Sequence, residues 1–259
     1  MTFNIRVNLA SDGENAWPNR KEKVASMIRF HGADLVGLQE ARPEQLADLE
    51  ALLPAFGRVG VGRFADLSDE ASAILYRRER FVVLAHDTFW LSQTPEERGS
   101  LGWDARYPRI VTWAKLRDRE SGHEFVHFNT HFDHAGVVAR RESANLLLRR
   151  IDAIAGDLPF VVTGDFNATP DEEPIRILTA DPRLRDAFAI TRCPHHGPSG
   201  TWNAFKAIER GHRIDFVFVS PAFSVLEHAA LSDTFDGKFP SDHLPVLAVI
   251  TSERVSTCR

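Results

Sequence analysis

Residues 160–167, Phe160-Val161-Val162-Thr163-Gly164-Asp165-Phe166-Asn167, set an apolar run directly against a turn-forming cluster. The run reads as a strand, because Gly, Asp and Asn favour the turn that ends it. Asp165 therefore stands just past its strand. Glu40 and His131 stand the same way, after the apolar runs 34–38 and 125–129. Asp215 and Asp242-His243 do the reverse and precede the runs 216–219 and 246–250. For these polar groups to meet at one rim, some strands must run opposite to others. That disfavours an all-parallel doubly wound sheet. It favours an α/β fold in which two mixed or antiparallel sheets pack face to face with helices outside.

The rest of the chain alternates short apolar runs with helical patterns. Phe3, Ile5 and Val7 alternate with Asn4, Arg6 and Asn8, the period of a strand. Val24, Met27, Ile28 and His31 fall at helical spacing, and Gly32 follows as a stop. Pro43 suits the first turn of a helix carrying Leu46, Leu49 and Leu53. Further strands are expected at 73–76, 81–86 and 110–116, and a long helix at 137–154. With no repeat, low-complexity tract or Gly/Ser linker, the expectation is a single domain over 1–259.

The 259 residues suffice for one large domain with a substantial core. Apolar residues make up 43% and charged residues 26%, within the range of soluble globular proteins. No apolar run approaches the ~20 residues that span a bilayer. The start of the chain lacks a basic segment followed by an apolar one, so a cytoplasmic location is expected. Cys193 and Cys258 permit one disulfide, but a reducing compartment is the simpler reading. The formal charge of −5 argues against coating nucleic acid by charge alone, although a metal ion and local arginines can supply positive charge at one site.

The chemistry concentrates in a few short segments. Ser241-Asp242-His243 places a potential ligand beside a proton-handling group at a strand entrance. Leu38-Gln39-Glu40, Asn129-Thr130-His131, Gly164-Asp165-Phe166-Asn167 and Arg213-Ile214-Asp215 add carboxylates, amides and imidazoles. Each alone suits a solvated turn or an edge charge. Together they offer no thiolate, which suits a hard cation such as Mg²⁺ or Mn²⁺. Cys193-Pro194-His195-His196 lacks a partner cluster and is a poor zinc site. Trp113 is expected in the core, and Trp103, between Gly102 and Asp104, at the rim of a cleft.

In this order, with Thr2-Phe3-Asn4-Ile5-Arg6 at the start, these segments resemble the motifs of the endonuclease/exonuclease/phosphatase superfamily, from Thr2 to about Ile250. Phe89-Trp90-Leu91-Ser92, Gly102-Trp103-Asp104-Ala105 and Arg109-Ile110-Val111-Thr112-Trp113 resemble a bacterial hydrolase branch and, more loosely, deadenylase-like members. The resemblance implies a four-layer α/β sandwich. It also implies roles. Glu40 would be the main metal ligand, with Asn4 and Asp242 close to the metal. Asp165 and Asn167 would orient the attacking water or bind the phosphoryl group. His243, oriented by Asp215, would handle protons or offset phosphate charge, and His131 would donate to a phosphate oxygen. Arg109 and Arg42 would contact phosphate.

The expected activity is divalent-metal-dependent hydrolysis of phosphate esters by in-line attack of water. A phosphodiesterase acting on nucleic acid or a nucleotide-like substrate comes first. A phosphomonoesterase or a phospholipid or sugar-phosphate hydrolase is the alternative, and a non-catalytic binding module is disfavoured. The absence of an amphipathic Lys/Arg-rich helix argues against stable membrane association. No obligate protein partner is expected.

Overall fold

In the computed structural model, which describes residues 1–253 and 258, helices and strands alternate along most of the chain. The first part runs β1 (Thr2–Asn4), α1 (Lys21–Phe30), β2 (Leu35–Gln39), α2 (Pro43–Leu52), β3 (Phe56–Val59) and β4 (Ile74–Arg77). Next come β5 (Phe81–Trp90), β6 (Ile110–Asp118), β7 (Glu124–His131), α3 (Val137–Ala155) and β8 (Phe160–Asp165). The chain then forms α4 (Glu173–Ala180), β9 (Arg185–Asp186), α5 (Ala187–Ile190), β10 (Asp215–Val219), β11 (Ser224–Ala230) and β12 (Val246–Thr251).

The strands form two six-stranded sheets, ordered β11-β12-β1-β2-β4-β3 and β5-β6-β7-β8-β10-β9. β1 runs parallel to β2 and β7 parallel to β8, while β10 runs antiparallel to β8 and β12 to β1. These are the mixed sheets that the strand-end argument requires. α1 and α2 bury Val24, Ile28, Leu46 and Leu49 against Phe3, Val36 and Leu38 of the first sheet. α3 and α4 bury Leu147, Ile151, Ile175 and Leu178 against Phe128, Val162, Phe216 and Phe218 of the second.

Strand alternation then decides what faces the middle of the sandwich. In β7, Val126 and Phe128 join the core under α3, so Phe125, His127, Asn129 and His131 face the other sheet. In β8 the inner row is Val161, Thr163 and Asp165, and in β10 it is Val219, Val217 and Asp215. The inner rows thus run from apolar at one end to ionisable at the other. Their middle is a buried polar stitch between the sheets. Gln39 Nε2 donates to Asn129 Oδ1 (2.7 Å) and Thr2 Oγ1 (3.0 Å). Thr163 Oγ1 also reaches Asn129 Oδ1 (3.0 Å) and bonds His127 Nε2 (2.8 Å). Gly37 permits this approach, since a Cβ there would meet Thr163 Oγ1 at 2.2 Å.

Some local expectations change. The first strand ends at Asn4 rather than running to Val7, because Arg6 turns the chain with φ 55°. Asn8 therefore shares no strand face with Asn4. Its amide instead reaches Glu44 Oε1 (3.2 Å). Trp113 does pack on the core under α3, but so does Trp103, which was expected at a cleft rim. The two cysteines are joined in a Cys193–Cys258 disulfide, against the simpler reading of reduced thiols. Among the described residues, no helix is long and apolar enough to cross a membrane.

Candidate active site

Register assembles the acidic end of the second sheet. His131 is the strand partner of Asp165, and Asp165 is the partner of Asp215, so three adjacent strands end on ionisable groups. From the first sheet, Asn4 ends β1 and Glu40 follows β2. His243 and Asp242 lie on the approach to β12. All of these except Glu40 are less than a tenth exposed.

Asn4 links the two sheets. Its Nδ2 donates to Glu40 Oε1 (3.1 Å) and to Asp165 Oδ2 (2.9 Å). Its Oδ1 accepts the Arg6 backbone N–H (3.0 Å), which fixes which end of the amide faces the carboxylates. Asn4 therefore presents donors to the site, a departure from the metal-proximal ligand role implied for it. Glu40 adopts φ 60°, a left-handed conformation that costs a non-glycine residue about 1 kcal/mol. It turns Oε2 onto the Val7 N–H (2.8 Å). Burial works to raise the Glu40 pKa. The Val7 N–H, the Asn4 amide and the charges of His243 and Arg6 outweigh it and hold the group below its usual range.

The expected Asp215–His243 hydrogen bond is present, with Asp215 Oδ2 2.9 Å from His243 Nδ1. His243 Nε2 then faces Asp165 Oδ2 at 3.8 Å. Burial would discharge His243, but Asp215, Asp165 and Asp242 together raise its pKa well above 6.5. Burial raises Asp165 to about 7, with His243 opposing and Asp215 adding. Asp165 Oδ1 accepts the Asn167 N–H (2.9 Å), and Asn167, at φ 46°, donates Nδ2 to the Phe132 carbonyl (2.9 Å).

The two arginines differ in depth. Arg109 is buried and donates to His131 Nδ1 (3.0 Å), His134 Nδ1 (3.0 Å) and Asp133 Oδ2 (3.3 Å). Arg42 caps α2 at the rim, where its Nη1 reaches the Asn8 carbonyl (3.4 Å) and its Nε lies 3.4 Å from Asp69. Both were expected on phosphate. Arg109 is committed to protein acceptors, whereas Arg42 Nε has no hydrogen-bond partner among the described residues.

Sequence reading missed the residues that hold these groups. Thr201 Oγ1 accepts the N–H groups of Ile214 and Asp215, and its carbonyl accepts the Leu244 N–H (2.7 Å). Asn203 donates Nδ2 to the Ser241 carbonyl (3.1 Å), and its backbone N–H bonds the Asp242 carbonyl (2.8 Å). The 201–203 segment thus fastens the start of β10 to the 241–244 loop. Asp133, pulled down to about 2 against its burial by the Gly136 and Ala135 N–H groups and Arg109, anchors the arginine. Its place in His131-Phe132-Asp133-His134 was a usable signal. Arg63, Asp69 and Glu70 lie on an aperiodic loop and offered none.

Glu40 and Asp242 are the residues best suited to a divalent cation. Burial raises the Asp242 pKa and Glu40 adds to it, against the charges of His243, Arg6 (Nη1 at 3.8 Å) and Arg20, so two carboxylates crowd together here. A hard cation would relieve that repulsion, and the donors are all oxygen. Asp165, Asp215 and His243 also converge closely enough to hold an ion. Asp215 Oδ2 and His243 Nδ1 already satisfy each other, which suits a hydrogen-bonded group better than a metal cage.

Carboxylates, amides and imidazoles gathered at one rim of a two-sheet α/β sandwich define a hydrolase class. Residues 1–243 match the Endonuclease/Exonuclease/phosphatase family, and the chain belongs to it. The members of that family are divalent-metal-dependent phosphoester hydrolases. The structure is similar to that of an endonuclease/exonuclease/phosphatase from Bacteroides vulgatus, with a TM-score of 0.93 and 39% identity over 97% of both chains. It is similar to a Bacteroides thetaiotaomicron mannosyl-6-phosphatase, with a TM-score of 0.90 and 34% identity over 96% of this chain and 98% of that one. Among curated proteins, Drosophila melanogaster nocturnin is 26% identical over 89% of this chain, which spans 41% of that protein's length.

Proposed function

We propose that the protein is a Mg²⁺- or Mn²⁺-dependent phosphomonoesterase whose substrate is a phosphate carried on a neutral, hydroxyl-rich group such as a sugar. The observation that carries this reading is the rim beside the catalytic cluster. A water-sized cavity there, large enough for one substrate hydroxyl rather than a whole sugar, is bordered by Glu40, Arg63, Glu70, Ser72, Arg109 and His131. Arg63 donates to Asp69 Oδ2 (2.9 Å) and to both oxygens of Glu70 (2.8 and 3.0 Å). Its charge is thereby cancelled, as Arg6 is by Asp12 and Arg109 by Asp133. A polyanion with flanking phosphates would find these three arginines already paired, with Arg106 left as an exposed cation near His134. A hydroxyl-bearing carrier would find carboxylate oxygens with acceptor capacity remaining. The likeness to a mannosyl-6-phosphatase at 34% identity supports the same substrate class.

A divalent cation bound at Glu40 and Asp242 would supply Lewis-acid polarisation of the phosphoryl group. Asp165, held by Asn4 and Asn167, would orient the attacking water. His243, charged by its pairing with Asp215, would offset charge developing on the phosphoryl oxygens. His131 would add a donor.

A second reading, a phosphodiesterase for nucleic acid or a nucleotide-like substrate, is favoured by the identity to nocturnin across most of this chain. A substrate panel separates the two. Hexose 6-phosphates, nucleotides, bis(p-nitrophenyl) phosphate and single-stranded RNA are compared with Mg²⁺, Mn²⁺ and chelator. The expected result is phosphate release from a hexose phosphate with kcat/KM at least about tenfold above any diester, a gap of about 1.4 kcal/mol. Faster cleavage of the diester or the RNA would replace the first reading with the second.

A further inference from the structure

We propose that Arg109 is a positioning residue that fixes His131 as the Nε2–H tautomer, turning it into a permanent hydrogen-bond donor on the Asp165 side of the ring, available to the phosphoryl group. The role of that donor rests on the phosphoesterase reading above. The tautomer itself does not.

A guanidinium only donates and keeps its charge at any working pH. The nitrogen it faces must therefore offer a lone pair. Arg109 Nη1 lies 3.0 Å from His131 Nδ1. Burial, then the charges of Arg109 and Arg63, also hold His131 well below its usual pKa, so the ring is neutral and carries one N–H. That proton falls on Nε2. Nε2 lies 3.4 Å from Asp165 Oδ2, a carboxylate oxygen near enough to favour a proton there without a formed hydrogen bond.

Asn167 pulls the other way. Its Nδ2 is assigned by the Phe132 carbonyl, which can only accept, and the same Nδ2 lies 3.0 Å from His131 Nε2. A lone pair on Nε2 would satisfy that contact and move the ring proton to Nδ1. The ring is thus contested by a charged donor at Nδ1 and a neutral donor at Nε2. Charge-assisted hydrogen bonds are roughly twice as strong as neutral ones. An Nδ1–H would also point a dipole at the guanidinium in a buried site. Arg109 therefore prevails, and two donors, His131 Nε2–H and the Asn167 amide, converge on one corner. Such a corner suits an anionic oxygen. Asp133 keeps Arg109 in place through its own bonds to the Ala135 and Gly136 N–H groups.

The test reads the tautomer directly. Long-range ¹H–¹⁵N spectra of imidazole-labelled, metal-free protein distinguish Nε2–H from Nδ1–H, and the His131 pattern is assigned by its loss in His131→Asn. The wild type should show Nε2–H. Arg109→Met removes the charged donor, so the Asn167 contact should move the proton to Nδ1. Its kcat should fall about a hundredfold or more on whichever substrate the panel identifies, with KM changed less. Arg109→Lys restores a charged donor and should return the Nε2–H pattern. An Nδ1–H pattern in the wild type, or an unchanged pattern in folded Arg109→Met, would overturn the proposal. If Arg109→Met does not fold, the wild-type and Arg109→Lys spectra still decide. Because no substrate is present, a failed sugar-phosphate reading leaves this result standing.

Discussion

Asp215→Asn combined with His243→Ala tests the most committed pair in the site. The two atoms lie 2.9 Å apart, and the Asp215 side chain is fully buried. At an effective dielectric of about 20 their gross attraction is about 6 kcal/mol, most of it offset by desolvation. The single variants show what remains. In His243→Ala the Asp215 carboxylate keeps no hydrogen-bond partner, because Oδ1 has none among the described residues even in the wild type. Stranding such a charge costs about 3–5 kcal/mol. Asp215→Asn removes the main support for a charged His243. The double variant removes both charges and should cost little more than the worse single. Urea unfolding of all four proteins with chelator present should give a coupling of about 2–3 kcal/mol. The losses in log kcat should be similarly sub-additive, since the pair acts as a unit. Additivity within about 0.5 kcal/mol in stability, together with additive losses in log kcat, would refute the dyad.

Activity should disappear on exhaustive chelation and return with Mg²⁺ or Mn²⁺, and Glu40→Gln should weaken the metal's apparent affinity at least about tenfold by calorimetry. Asp165→Asn should fold and lose turnover by far more than threefold. Asp165 has its folded pKa raised to about 7 from 3.8, so the native state holds the extra proton and metal-free stability should fall as pH rises across that window. Asp165→Asn should remove that slope, worth up to about 4 kcal/mol, as read by chemical unfolding at pH 4 and 7.5. Protein purified without reductant and then denatured should show no free thiol, and reduction should release the thiols of Cys193 and Cys258 together.

The site was legible where it obeys strand period and illegible where it depends on loops. Asp165, His131 and Asp215 continue the inner rows of β8, β7 and β10 and stand at the ends of their apolar runs, which is what made their meeting at one rim readable. The opposite strand polarity was readable from which polar groups follow and which precede their apolar runs. β3 went unread because Gly57 and Arg58 interrupt its apolar pattern, and β11 because His228 and Glu227 do the same. The Arg63–Glu70 rim has no periodicity. Its form depends on Leu67 and Asp69 in left-handed conformations (φ 63° and 70°) and on the backbone pairing of Ala71 with Ala41, next to Glu40. The commitment of Arg109 was unreadable for a different reason. Residue type marks an arginine as a phosphate ligand or a structural donor with equal ease, and only its three partners decide between them.

The active groups are divided between the sheets, and that division explains the polar layer beneath them. Asn4 and Glu40 belong to the first sheet, and His131, Asp165 and Asp215 to the second. Their mutual distances therefore depend on how one sheet is registered on the other. Apolar packing alone registers two sheets weakly, since it is non-directional. The Gln39–Asn129–Thr163–His127 chain is directional, and Asn129 also donates to the Leu38 and Ala73 carbonyls of the opposite sheet (2.8 and 2.9 Å). A slip of either sheet would strand several buried polar groups at once, each costing about 1–3 kcal/mol. In β7 and β8 the stitch lies one alternation step below the reactive row, with Asn129 two residues before His131 and Thr163 two before Asp165, while Gln39 directly precedes Glu40. Gln39, Asn129 and Thr163, which fix the register, thus lie within two residues of the groups whose positions must be fixed.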